Sequence, residues 1–376
     1  MTSPDEPPFL SNPVGTEKFC IFCGKQPVSK TKEHVLPRWL IELTGSPTRP
    51  LNLGLIGVDS PPKMDFNSFV FPACENCNTQ FSKLEMSAKR VVEKLLASKE
   101  LLPKEANVLL DWLDKVRIGL WLANLVMSKN PLDIRPAYHI NWRVRKFDRC
   151  VLIYSASNTR SGLIAVAANS PAFQVMPSCF TLQVNHLLFF NVSNMMLLAA
   201  RLGLPFVSSS RYDTGIEIAA GYRKRKFPLL RTRLEEPALD LYQPILAPTE
   251  PIFPDGSPLI AESIYDSPFV RDSCRDLASR EGHIFTQSGW AVSKFGTGSI
   301  GLDLTRQGPI QYGDKRYRNI LLQTFRFQQK LISAIPDSIQ YQVMPVSRKP
   351  FYRQLAKETK RYNDVVVRAI REHFSS

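Results

Sequence analysis

The fold of this chain is decided by the stretch from Cys20-Ile21-Phe22-Cys23-Gly24, through Lys32-Glu33-His34-Val35-Leu36-Pro37, to Cys74-Glu75-Asn76-Cys77-Asn78. Two cysteine pairs of CxxC spacing can close a tetrahedral shell of thiolates around Zn²⁺, and a shell of four sulfurs leaves no open position for substrate or water. Such a zinc is structural. Between the pairs, Pro27, Pro37, Pro47, Pro50, Pro61, Pro62 and Pro72 punctuate a segment whose apolar residues are too scattered to hold a core of their own. Zinc binding is therefore expected to provide the folding free energy that burial cannot. A redox role is the competing reading of CxxC. It is disfavoured because a redox CxxC usually stands alone near a βαβ pattern.

The residues with catalytic chemistry lie beside this clamp. Glu33 is a hard carboxylate suited to Mg²⁺ or Mn²⁺, and His34 can take a proton near neutral pH. Consecutive side chains on a strand point to opposite faces, so the two could serve one cleft only if the strand is bent or bulged there. From Phe81 the apolar residues Leu84, Ala88, Val91, Val92, Leu95 and Leu96 recur at helical spacing. A helix starting near Asn78 would place that residue where it could cap the helix or bind a cation.

On the motifs CIFCG, KEHVLP and CENCN, the first hundred residues or so resemble the HNH endonucleases, the ββα-metal or His-Me finger superfamily, in its four-cysteine zinc subgroup. The arrangement looks most like the recombination endonuclease VII type and the McrA-like restriction nucleases. The resemblance implies that Cys20, Cys23, Cys74 and Cys77 ligate a structural zinc, that His34 is the general base, and that Glu33 and Asn78 ligate a catalytic Mg²⁺ or Mn²⁺. Many members carry Asp where this chain has Glu33. The family's middle asparagine, which orients the base, would fall on Asn67 at a rather long spacing. Glu85, about two turns into the helix, is a reserve ligand candidate. The products implied are a 5′ phosphate and a 3′ hydroxyl, and the implied partner is nucleic acid, DNA foremost, in the setting of defence or restriction. The alternative is a catalytically inactive zinc platform that binds nucleic acid.

Composition is consistent with this reading without deciding it. The chain has 376 residues, 44% of them apolar and 22% charged, and a formal net charge of +14. Excess positive charge attracts polyanions, a nucleic-acid backbone above all. The N-terminus is polar, Pro-rich and carries Asp5 and Glu6, so no secretory signal is expected there. No apolar run is long enough to span a bilayer, and a membrane partner is not expected. Cys150, Cys179 and Cys274 are widely spaced and read as reduced thiols of a cytoplasmic protein. Homo-oligomerisation is left open.

The expected fold class is α+β: an HNH domain over residues 1–100, then a larger α+β domain over 101–376 that takes part in recognition or sensing. A helix is expected over 105–128, and strands over 150–155, 162–168 and 180–192, with His186 on the last strand as a core histidine. Basic clusters fall at Arg223, Lys224, Arg225 and Lys226, and again at Lys349, Arg353, Lys357, Lys360, Arg361 and Arg368. Residues 244–258 read as a linker or long loop.

Overall fold

Strands β5 (Asp148–Ser155) and β8 (Leu187–Asn194) bury all but their last residue, which requires both faces of their sheet to be covered. Side chains alternate as the two-residue period demands. Val151, Ile153, Leu187 and Phe189 enter one core cluster, while Leu152, Tyr154, Leu188 and Phe190 enter another. The two strands sit centrally in a seven-stranded antiparallel sheet. Its order is β15 (Ala291–Lys294), β14 (Phe285–Ser288), β11 (Leu239–Gln243), β5, β8, β7 (Cys179–Val184) and β6 (Leu163–Val166). The computed structural model describes residues 19–27, 30–52, 63–127, 139–157, 161–194, 206–212, 215–221, 235–245, 274–276, 281–288, 291–333, 346 and 349–374. The basic cluster at 223–226 and the expected linker beyond residue 245 lie outside the described residues.

One face of the sheet packs on helix α3 (Pro103–Met127) and on the chain that precedes it; the other packs on α6 (Lys315–Ser333) and α7 (Lys349–His373). Helix α3 is the centre of the molecule. Eighteen of its 25 residues are buried, including Asp111, Asp114, Lys115 and Arg117. No helix among the described residues is long and apolar enough to cross a membrane.

The chain before α3 forms β1 (Lys30–His34), α1 (Arg38–Leu43), a small hairpin of β2 (Pro50–Asn52) with β3 (Lys63–Asp65), β4 (Val70–Cys74) and α2 (Glu75–Leu96). Strand β1 pairs antiparallel with β4, from Lys30 opposite Cys74 to His34 opposite Val70, and β4 runs directly into α2. Elsewhere α4 (Pro171–Val175) and α5 (Leu304–Gln307) are short helices. β9 (Phe206–Tyr212) pairs with β10 (Gly215–Gly221), and β12 (Cys274–Asp276) with β13 (Glu281–Gly282).

Mixed helix and antiparallel sheet give the α+β class, with two corrections to the sequence expectations. Residues 180–192 are a hairpin, not one strand: Asn185 turns at φ 53° and His186 lies in the turn, not on a strand. Apolar residues continue on both sides of that turn because both faces of the sheet are covered, so composition alone does not mark the break. The Pro-rich segment between the cysteine pairs also contributes to a core. Val35, Leu36, Leu40, Ile41, Phe66 and Phe69 are buried in the same cluster as α3 and the inner sheet face. They need no core of their own because they share one that runs on to Phe295. Close approach is part of this packing: a Cβ at Gly119 of α3 would meet Val35 Cγ1 at 3.2 Å.

Candidate metal centre and the charged site beside it

Four cysteine sulfurs meet where β1, β4 and α2 converge. Those of Cys20, Cys23, Cys74 and Cys77 lie within 4.8 Å of one another, the arrangement that can hold a metal ion such as zinc. Among the described residues it is the only group of three or more Cys, His, Asp or Glu so placed. The local chain explains how it is built. Gly24, at φ +75°, donates its N–H to Cys20 O at 2.8 Å and closes the first knuckle. A side chain there would also collide with the His139 ring, so glycine is required on two counts. Cys74 ends β4 in extended conformation and caps α2, and its N–H donates to Cys20 Sγ at 3.2 Å.

Electrostatics of the four thiols favour a cation. Burial opposes ionisation of Cys20, but N–H groups of Cys74, Cys23 and Phe22 outweigh it and bring its pKa below the usual thiol value. Burial and then the neighbouring sulfurs push Cys74 up to about 11 and Cys77 up to about 12. Crowded thiolates repel; a divalent cation reverses that balance and deprotonates them.

Beside the cysteines is a buried charged triad. Lys115 Nζ lies 2.5 Å from Glu33 Oε1 and 2.5 Å from Glu85 Oε1, and the lysine side chain is only 1% exposed. Three elements meet here: Glu33 comes from β1, Glu85 from α2 and Lys115 from α3. The second oxygen of Glu85 accepts from Trp39 Nε1 at 2.8 Å, Trp39 packs on Trp112, and the Phe22 ring lies 5.9 Å from the ammonium. Burial raises the Glu33 pKa, and the Lys115 charge offsets part of that rise. Burial opposes the Lys115 charge, but Glu85 and Glu33 more than offset it and hold its pKa above the usual value.

Asn78 sits in the first turn of α2. Its Nδ2 donates to Thr31 Oγ1 at 3.2 Å and to Lys32 O at 3.5 Å, and Thr31 in turn donates to Ala73 O at 3.0 Å. These bonds dock the helix on β1 and leave the amide oxygen Oδ1 as the group available to a cation. Thr31 and Glu33, two residues apart, share the strand face toward the helices. His34 is on the opposite face, because the β1 register is continuous through Glu33 and His34; the bulge that would turn both toward one cleft is not found between them. The imidazole is near enough to act electrostatically on the Glu33 carboxylate. Its Nε2 is shielded from solvent and has no hydrogen-bond partner. Asn67 is exposed on the 3₁₀ turn Phe66–Ser68, whose N-cap Asp65 accepts from Ser68 N.

Lys115 and Trp39 are the site residues that sequence reading passed over. A signal for the first existed: Lys115 belongs to a group of charges, with Asp111, Asp114 and Arg117, set among the apolar residues Trp112, Leu113 and Val116. Comparison with protein-family models, with curated proteins and with solved structures finds no match.

Proposed function

We propose that this protein is a metal-dependent endonuclease of the HNH type, hydrolysing phosphodiester bonds in DNA. The observation that carries the reading is the strand-strand-helix unit of β1, β4 and α2, which is clamped at a four-cysteine centre and holds Glu33, His34 and Asn78 beside it. The cysteine centre takes Zn²⁺, because four thiolates suit that ion and close its shell. Glu33 and the Asn78 amide oxygen would hold a hard divalent ion, Mg²⁺ or Mn²⁺. Bound there, such an ion stabilises negative charge on the phosphate and on the departing 3′ oxygen. His34 would accept the proton of the attacking water, which requires its ring to turn from the opposite face of β1, where Nε2 is shielded from solvent. The new bond joins water oxygen to phosphorus, the P–O3′ bond breaks, the departing 3′ oxygen takes a proton from solvent, and a 5′ phosphate and 3′ hydroxyl result.

The test is cleavage of plasmid and of single strands by the full-length protein with Mg²⁺, Mn²⁺ or EDTA. Loss of the base removes about 10²- to 10⁴-fold of the rate. His34→Ala is therefore expected to lose cleavage while keeping its zinc and its melting temperature. Cleavage that survives this substitution removes His34 from the mechanism. An inactive zinc platform is the second reading, and one observation favours it: an ammonium already holds Glu33. In that case His34→Ala leaves nucleic-acid binding intact and no variant shows metal-dependent cleavage.

Helix α7 provides the surface for the substrate backbone. Arg353, Lys357, Lys360, Arg361, Arg368 and Arg371 are exposed and recur at three- and four-residue steps on one face; the acids among them are Glu358, which pairs with Arg361, Asp364 and Glu372. Leu355, Thr359, Asn363, Val366 and Ile370 are buried on the other face. Gln at 353, 357, 360 and 368 should leave the fold unchanged. It should also flatten the dependence of log affinity on log salt, by about 0.9 for each phosphate that is no longer neutralised. Fluorescence anisotropy of a labelled duplex at several salt concentrations measures this, and an unchanged slope places the substrate elsewhere.

A further inference from the structure

Lys115 takes no part in those proton and phosphate steps, yet its ammonium is the best-held cation beside them. It touches Glu33 Oε1 and Glu85 Oε1 at 2.5 Å each. The two carboxylates are not equivalent. Glu85 has both oxygens committed, one to Lys115 and the other to Trp39 Nε1. Glu33 has only Oε1 committed: its Oε2 has no hydrogen-bond partner among the described residues, and the side chain keeps 12% exposure. Two carboxylates converging on one point are a ready oxygen-ligand pair for a hard divalent ion. Here that point is filled from α3 by a buried ammonium, with the Phe22 ring 5.9 Å away.

We propose that Lys115 is a positioning residue that acts as a built-in cation: it fills the place between Glu33 and Glu85 and leaves an incoming divalent ion only the outer oxygen of Glu33. Glu85 is then an anchor for the lysine and not a ligand. The consequence for cleavage rests on the nuclease reading, whereas the filling of the inner place by the ammonium does not. A neutral residue at 115 opens the inner place, draws a divalent ion between the two carboxylates, and takes Glu33 away from the substrate phosphate.

The experiment uses zinc-loaded, full-length protein with Mn²⁺ as the probe. Mn²⁺ binding is read by electron paramagnetic resonance, and thermal melting is followed with and without the ion. Lys115→Met is expected to bind additional Mn²⁺ and to gain more melting temperature from it than wild type does. Adding Glu85→Gln to Lys115→Met removes both effects. Lys115→Gln, which keeps a hydrogen-bonding group without the charge, serves if the methionine variant does not fold. Cleavage by the lysine variants falls by at least about tenfold, since displacing a reacting group by an ångström costs that much or more. Variants that bind no additional Mn²⁺ and gain no stability from it overturn the built-in cation. Undiminished cleavage in variants that do bind the added ion overturns the positioning role. Wild-type protein that cleaves nothing with either metal sinks the nuclease reading and leaves the Mn²⁺ experiment to judge Lys115 by itself.

Discussion

Cys74→Ser is expected to cost the protein its zinc and, with it, the folded state of everything between Phe19 and α2. The magnitude follows from what the cluster replaces. Structural zinc in small peptides contributes roughly 10 to 16 kcal/mol of apparent binding free energy near neutral pH. A domain's whole stability is about 5 to 15 kcal/mol. Cys74 has a double role, because the residue that offers its sulfur also ends β4 and caps α2. Releasing it frees the strand pair and the helix together. Damage would not stop there: Ile21, Phe22, Leu36 and Leu40 belong to the same cluster as Trp112 and Leu120 of α3. A chelator strong enough to strip zinc should therefore expose α3, seen as a loss of near-ultraviolet dichroism from Trp39 and Trp112 and a large fall in melting temperature. Cys179→Ser is the control, since that thiol is buried in the outer cluster, away from the four sulfurs. Cys74→Ser protein that holds no zinc and melts like wild type would refute this account.

How far sequence reading reached depends on the kind of signal each element carries. The four cysteines were legible because ligand spacing is chemistry written locally. The structure brings all four together from β1's approach, β4 and α2. The helix after Asn78 was also legible, although it begins at Glu75 and the first turn includes Cys77. Helix α3 fits its expected span to within two residues, since Pro103 fixes its start and its apolar period is long. The strand break at Asn185 was hidden by uniform burial, and α1 by its shortness. The partner of Glu33 was not legible at all. Lys115 lies 82 positions away and meets Glu33 only because α3 packs across the zinc module, a pairing set by tertiary structure and not by spacing. Asn78 was read as a cap or a cation ligand; it docks on Thr31 and Lys32 O, which is neither, and still leaves an oxygen for the second role.

A second large effect is expected on the other side of α3. There the apolar rows of β5, β8 and β11 give way to Arg149, Asn191 and Gln243: Arg149 meets Asp111 and Asp114, Asn191 accepts from Arg117, and Gln243 accepts from Arg149 and donates to Asn107. Asp114 is the hinge of this cluster. It pairs with Arg117 and with Arg149 Nη1 at 3.0 Å, and it accepts from Arg145 N at 3.3 Å. Burial opposes its charge, but Arg117, Arg149 and Arg143 outweigh burial and hold the carboxyl below its ordinary value. Asp114→Ala would take a carboxylate partner from two buried guanidinium groups at once, leaving Arg117 with Asn191 and Arg149 with Asp111. Removing one partner of a buried pair typically costs about 3 to 5 kcal/mol, and here two pairs share the carboxylate. The sign of the pH effect follows from the depressed value. The unfolded chain binds the proton more readily, so this contribution is complete above the ordinary Asp range near 3.8 and is lost as pH falls below it. Asp114→Asn keeps the shape and removes the charge, so it should lower stability at neutral pH and flatten the acid limb of the stability curve. Urea unfolding between neutral pH and about pH 3 measures both effects, the lower limit lying below the ordinary carboxylate range. An acid limb in Asp114→Asn as steep as in wild type would mean that other carboxylates, not Asp114, set the acid sensitivity of this core.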